Sequence, residues 1–277
     1  MHYDIHSVDH TYKFLSAVTD DTPKALSQNW FFCDEDIDEF IKLYSTQIAS
    51  WDIESTDFVI KHVTSSCCEL EDIKAHGILY LPDVIKEDTF LNKLLNRVDF
   101  VIDVDAHKLK TDGKEYELDW EVLLEQPLGA LFREELIQIS RTLYRDYIST
   151  FLHCSNPFAY GNGLGMHPEF MDYFARIPPN GKKIMQYWDT HSKGFLITAK
   201  VPFSKASHVS FGIENEAAFI EDSNKGYKRC KKHLIQKACE IALQGYDREC
   251  YLFLKHHTRI PPNDFIRIDK QHIPNSR

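Results

Sequence analysis

No apolar stretch of this chain approaches the roughly 20 residues that span a bilayer, which excludes a transmembrane helix. Positive charge is not in excess either. Lys and Arg number 32 against 42 Asp and Glu, so a net charge of -10 repels polyanions and gives no general attraction to nucleic acid or to an anionic membrane. The start of the chain, Met1-His2-Tyr3-Asp4, lacks the basic flank and apolar run of a secretory signal, and seven cysteines is an odd number for a disulfide framework. Both absences predict a reduced, cytoplasmic protein. Paired Cys-x-x-Cys spacing and a His-Glu-x-x-His helix are missing too. His153-Cys154, His167, Cys230 with His233, and His256-His257 therefore make no zinc motif, and no metal is expected. There is no internal repeat and no low-complexity tract.

What is present is a globular composition. With 277 residues, 43% of them hydrophobic and 13% aromatic, the chain can bury a sizeable core as one large domain or one domain with an extension. Residues 1 to 30 show no strong period. Behind the acidic run Asp34-Glu35-Asp36, Ile37, Phe40, Ile41, Tyr44 and Ile48 repeat at helical spacing, which predicts a helix and an N-terminal helical extension over 1–50. Residues 51–277 are left as the main domain.

Phe58-Val59-Ile60-Lys61-His62 reads as an apolar strand that delivers a His and then Thr64, Ser65 and Ser66. Ser66 stands three residues before Glu69, the spacing of a capping box, and Gly77 can end the following short helix in a left-handed conformation. Further on, the pattern predicts a helix over Phe90 to Val98, a strand from Asp99 to Val104, a turn at Thr111-Asp112-Gly113-Lys114, and a mostly helical stretch between about residues 80 and 150. Pro127 is placed in the first turn of a long helix whose apolar face carries Leu128, Leu131, Phe132, Leu136, Ile139 and Leu143. A Gly-rich loop, Tyr160-Gly161-Asn162-Gly163-Leu164-Gly165, lacks the Gly pattern of a Rossmann turn and is either a plain loop or a phosphate cradle. A helix opened by Pro168, a strand over Gly194 to Phe203, a helix over Tyr227 to Leu243, a strand from Glu249 to His257 and a closing strand from Phe265 to Ile268 complete an α+β layout.

Three pieces in this order carry a resemblance to a known family. They are the strand with His62-Val63-Thr64 followed by Ile73 and Gly77-Ile78-Leu79; Gly194 to Val201-Pro202; and Glu249-Cys250-Tyr251-Leu252-Phe253-Leu254 followed by Arg259-Ile260-Pro261-Pro262-Asn263-Asp264-Phe265-Ile266. Over residues 55 to 269 the chain resembles the ADP-ribosyltransferase superfamily, which includes poly(ADP-ribose) polymerases and bacterial toxins. The resemblance implies a split β-sheet core with inserted helices, NAD as the substrate, and transfer of ADP-ribose to a macromolecule with release of nicotinamide, as in a toxin or defence effector. It implies Glu249 as the catalytic carboxylate and His62 as the group on the adenosine ribose, with the main chain at Val63 holding the nicotinamide amide and Thr64 supporting it. Tyr80 and Tyr160 are both candidates for the aromatic that stacks on nicotinamide. Val63 stands where the family often has Gly.

The alternatives are an NAD glycohydrolase and an inactive ligand- or nucleic-acid-binding module of the same fold. The densest basic run, Lys225, Lys228, Arg229, Lys231 and Lys232, fits either a nucleic-acid contact or an ordinary solvated helix face, and a protein acceptor is slightly favoured.

Overall fold

A computed structural model describes all residues other than 32, 146, 163–166, 214–215, 217–222, 245–248 and 272–277. The chain is mixed α+β. Its elements are β1 (His2–Tyr3), α1 (Val8–Thr19), α2 (Pro23–Asn29), α3 (Glu35–Leu43), α4 (Ser45–Ser50), β2 (Asp57–Ser66), α5 (Glu71–His76), α6 (Leu81–Lys86) and α7 (Phe90–Arg97). There follow β3 (Phe100–Asp103), β4 (Lys108–Thr111), β5 (Lys114–Glu117), α8 (Trp120–Glu125), α9 (Ala130–Leu143), β6 (Tyr147–His153), α10 (Phe170–Phe174) and α11 (Gly181–His191). The last are β7 (Lys193–Pro202), α12 (Ser223–Gln244), β8 (Cys250–Lys255) and β9 (Phe265–Lys270). The larger sheet has the order β8-β6-β2-β7-β9, with β1 added in parallel to β2, and the smaller sheet is the antiparallel meander β3-β4-β5.

Two compact units divide the chain: residues 1–62, 149–157 and 198–255 form the first, and 63–148, 158–197 and 256–277 the second. The boundary expected at residue 50 falls inside the first unit. There β1 pairs with the start of β2, His2 opposite Asp57 and Tyr3 opposite Phe58. The Tyr3 ring meets Phe14 at 4.7 Å and Phe58 at 5.5 Å, and its hydroxyl donates to the Leu234 carbonyl of α12 at 2.9 Å. Phe14 in turn meets Trp51 at 5.3 Å. Tyr3 and Phe58 are fully buried, and each such side chain contributes roughly 1.5–3 kcal/mol by leaving water. The helix expected over Ile37 to Ile48 is two helices, because the backbone turns at Tyr44 between α3 and α4, yet Ile37, Phe40, Tyr44 and Ile48 keep one buried stripe.

The second unit has its own core, in which Leu91, Leu94 and Leu95 of α7, Phe100 and Leu109 of the meander, Leu136 and Ile139 of α9, Phe170 and Phe174 of α10 and Trp188 of α11 are all buried. The turn at Asp112-Gly113 is the β4–β5 hairpin, with both residues at positive φ, 52° and 67°, as a tight right-twisted hairpin requires. The stretch from 80 to 150, expected to be mostly helical, thus holds a complete small sheet. α9 begins at Ala130 rather than at Pro127. Arg133 donates to the Gln126 and Leu128 carbonyls at 2.5 and 3.1 Å and fastens the approach to the helix, while Leu131 faces solvent at 85% exposure instead of joining the apolar face.

Candidate functional site

In the first unit the site residues ride on β2, β6 and the start of β8. Phe58, Val59 and Ile60 are buried and anchor β2, which leaves Lys61 and His62 half-buried beyond them. Lys61 is opposite Phe151 on the antiparallel neighbour β6. Nδ1 of His62 lies 3.1 Å from the Ser149 carbonyl of that strand. A carbonyl only accepts, so Nδ1 carries the proton and Nε2 keeps its lone pair. Burial holds the pKa of this ring below the ordinary histidine value, against a smaller upward effect of the Ser149 bond, which keeps the imidazole neutral near pH 7.

β6 is locked to β8 by Thr150, whose hydroxyl donates to the Leu252 carbonyl at 2.6 Å. Glu249 stands just before β8, exposed to solvent, and accepts a hydrogen bond from the Tyr251 hydroxyl. Residues two apart share one face of a strand, which is why this pair can meet. The Tyr251 ring is held in turn, 5.4 Å from Phe151 and parallel to Phe253 at 6.2 Å. Cys154 is buried, and burial first, then the Glu249 charge, push its thiol above the ordinary cysteine value; Lys61 acts in the opposite sense.

In the second unit Val63 and Thr64 are half-buried and Ser65 and Ser66 are buried. The Ser65 hydroxyl accepts from the Trp188 indole N-H at 3.0 Å, tying the end of β2 to α11. The expected capping box does not form. β2 runs through Ser66, whose hydroxyl accepts from the Cys68 N-H at 3.3 Å, and α5 starts five residues later at Glu71, with Leu70 as its cap. Glu69 has φ 56° and pairs with Lys193 and, at 3.1 Å, Lys270.

Gly77 does end α5, donating to the Ile73 carbonyl, with φ 78° and ψ -154° rather than the left-handed helical pair expected. Ile78 then exchanges two backbone hydrogen bonds with Ile260, at 3.0 and 2.9 Å. Tyr80 is buried at 7% exposure, with its ring edge-on to His257 at 5.4 Å. Nearby, Glu87 takes His76 at 3.1 Å and also Arg259, while Asp83 faces His257 at 3.7 Å. The Tyr160 side chain and the loop over Gly163 to Gly165 lie outside the described residues.

The carboxylate is thus joined by a phenol, and the imidazole by a backbone acceptor, that sequence reasoning did not include. Tyr251 was legible, two residues from Glu249 on an alternating strand. Ser149 was not, because it requires knowing that β6 exists beside β2. The two strands expected from Glu249 to His257 and from Phe265 to Ile268 are β8 and β9, which stand first and last in the sheet order. Among the described residues no group of three His, Cys, Asp or Glu side chains is gathered to hold a metal ion, and no helix is long and apolar enough to cross a membrane. No family model, curated protein or solved structure matches the chain.

Proposed function

We propose that this protein cleaves NAD at the nicotinamide–ribose bond and transfers ADP-ribose to a macromolecular acceptor, as a toxin or defence effector. The observation that carries the reading is Glu249, an exposed carboxylate fixed by the Tyr251 hydroxyl at the start of β8, in the same compact unit as a neutral His62 whose Nε2 is left as an acceptor. Departure of nicotinamide with the bonding electron pair leaves positive charge on the anomeric carbon and ring oxygen, as in glycoside hydrolysis. A preorganised carboxylate that holds a ribose hydroxyl stabilises that charge, and Glu249 fills this role. His62 Nε2 accepts from a hydroxyl of the adenosine ribose, the main chain at Val63 holds the nicotinamide amide, and Thr64 supports that segment. The acceptor's nucleophile then bonds to the anomeric carbon and gives up its proton. The succession of β2, His62-x-Thr64, α5, Gly77 and Ile78 supports an ADP-ribosyltransferase-like core.

Glu249→Gln keeps the shape of the side chain and its hydrogen-bonding reach while removing the charge. Nicotinamide release from NAD should fall by about 100- to 1,000-fold, the loss of one preorganised stabilising group, with the melting temperature unchanged because the residue is exposed. Turnover at the wild-type rate would remove Glu249 from the chemistry.

A further inference from the structure

A cavity of about 210 Å³ opens in the first unit at the far end of β8 from Glu249. Glu249 precedes Cys250 and the cavity is lined by Lys255, so six residues at roughly 3.3 Å each separate the two by about 20 Å. It is therefore a second location, independent of the NAD reading. Its floor is aromatic. Phe203 and Phe211 are 7% and 3% exposed and stack at 5.8 Å, and Tyr227 meets Phe203 edge-on at 5.9 Å. Its rim is charged: Glu54 accepts from the Tyr227 hydroxyl at 2.6 Å, and Glu216 faces Lys255 at 3.4 Å. The bond to Glu54, ahead of burial, pushes the Tyr227 phenol up to about 12, so at neutral pH it donates to that carboxylate and holds it in the lining.

We propose that this cavity binds a small organic ammonium ion with an apolar body. Among the carboxylates and ammonium groups of the lining, two carboxylates against one lysine leave a net negative balance, with the His208 imidazole beside them. The aromatic side chains of the lining offer apolar surface against which the body of such a cation can be buried. An anion would be repelled by that charge balance. The Glu216–Lys255 pair is 45% and 42% exposed, and a solvent-screened ion pair of this kind is weak enough for an incoming ammonium to displace Lys255. The volume fits a ligand of fragment size rather than a nucleotide.

Phenethylammonium and 2-phenylethanol have the same number of heavy atoms and differ in charge. In calorimetric titrations of the full chain at low salt, phenethylammonium should bind at least about tenfold more tightly than the alcohol. The double substitution Glu54→Gln with Glu216→Gln should remove that preference, and Lys255→Met should strengthen binding of the cation by freeing Glu216. Equal affinity for cation and alcohol would reduce the site to a greasy hollow and overturn the proposal. So would no heat from either up to about 10 mM, or a preference that survives the double substitution. Glu249→Gln, which leaves the cavity untouched, should bind phenethylammonium like the wild type whatever its effect on NAD.

Discussion

His62 and Glu249 are asked to do different things, and their surroundings differ accordingly. Burial depresses the His62 pKa and Ser149 fixes its tautomer, so it offers a neutral ring with one acceptor nitrogen. In the proposed role such a group would bind a ribose hydroxyl equally in the ground and transition states. His62→Ala should therefore raise KM for NAD and leave kcat nearly unchanged, on the order of a tenfold weaker affinity for the loss of one hydrogen bond of about 1 kcal/mol or a little more. Calorimetry with NAD or a non-hydrolysable analogue checks it, and an unchanged dissociation constant in the folded variant would take His62 out of the site. At this scale the sequence was informative about residue types and silent about partners. The spacing of Glu249 and Tyr251 on one strand face could be read, whereas Ser149 lies 87 residues from His62 and no local pattern joins them.

Elements with strong local signals were the legible ones. β2 carries three consecutive buried residues, and Phe90 to Arg97 shows a clear helical period. β7, α12 and β8 likewise lie where the apolar patterns put them. β6 was not legible, because Tyr-Ile-Ser-Thr-Phe-Leu-His mixes polar and apolar residues and is held as a strand by distant partners, Thr150 reaching Leu252 across 102 residues. The Ser66–Glu69 signal misled for a related reason: the strand's pairing extends through Ser66 and Glu69 turns to Lys193 and Lys270, so tertiary contacts outweighed a local cap of about 1 kcal/mol. Gly77 is the position where both levels agree. Its φ of 78° suits glycine, and a Cβ there would stand 2.1 Å from the Ile260 carbonyl oxygen, a contact no side chain can make. Gly77→Ala must push Ile78 and Ile260 apart, and it should cost on the order of 3 kcal/mol, read as a lower denaturation midpoint with an unchanged slope. A variant as stable as the wild type would mean that this bridge is not held as described.

Across the whole molecule, acidity and half-buried histidines set how stability and partner choice respond to solution conditions. His6, His62 and His233 all have pKa values lowered chiefly by burial; Asp4 opposes the shift at His6 and Lys237 adds to that at His233. Their folded pKa values lie below the ordinary 6.5, so below that pH the unfolded chain binds more protons than the folded one and stability falls as pH falls through this window. The melting temperature should therefore drop steadily from pH 7 to about pH 5, and a flat profile would contradict the burial of these rings. The net charge of -10 bears on the proposed acceptor. Part of the basic run on α12 is engaged within the first unit, Lys231 with the Ala49 carbonyl at 2.7 Å and Arg229 with that of Gly212, while Lys225, Lys228 and Lys232 are exposed. Three exposed lysines on an acidic molecule make a poor track for a polyanion, since each phosphate contact needs its own cation. With labelled NAD, Lys228→Glu together with Lys232→Glu should leave the labelling of protein acceptors and its salt dependence unchanged. A selective loss of label from DNA or RNA in that variant would instead make nucleic acid the acceptor, and nicotinamide release with no labelled macromolecule at all would make it water.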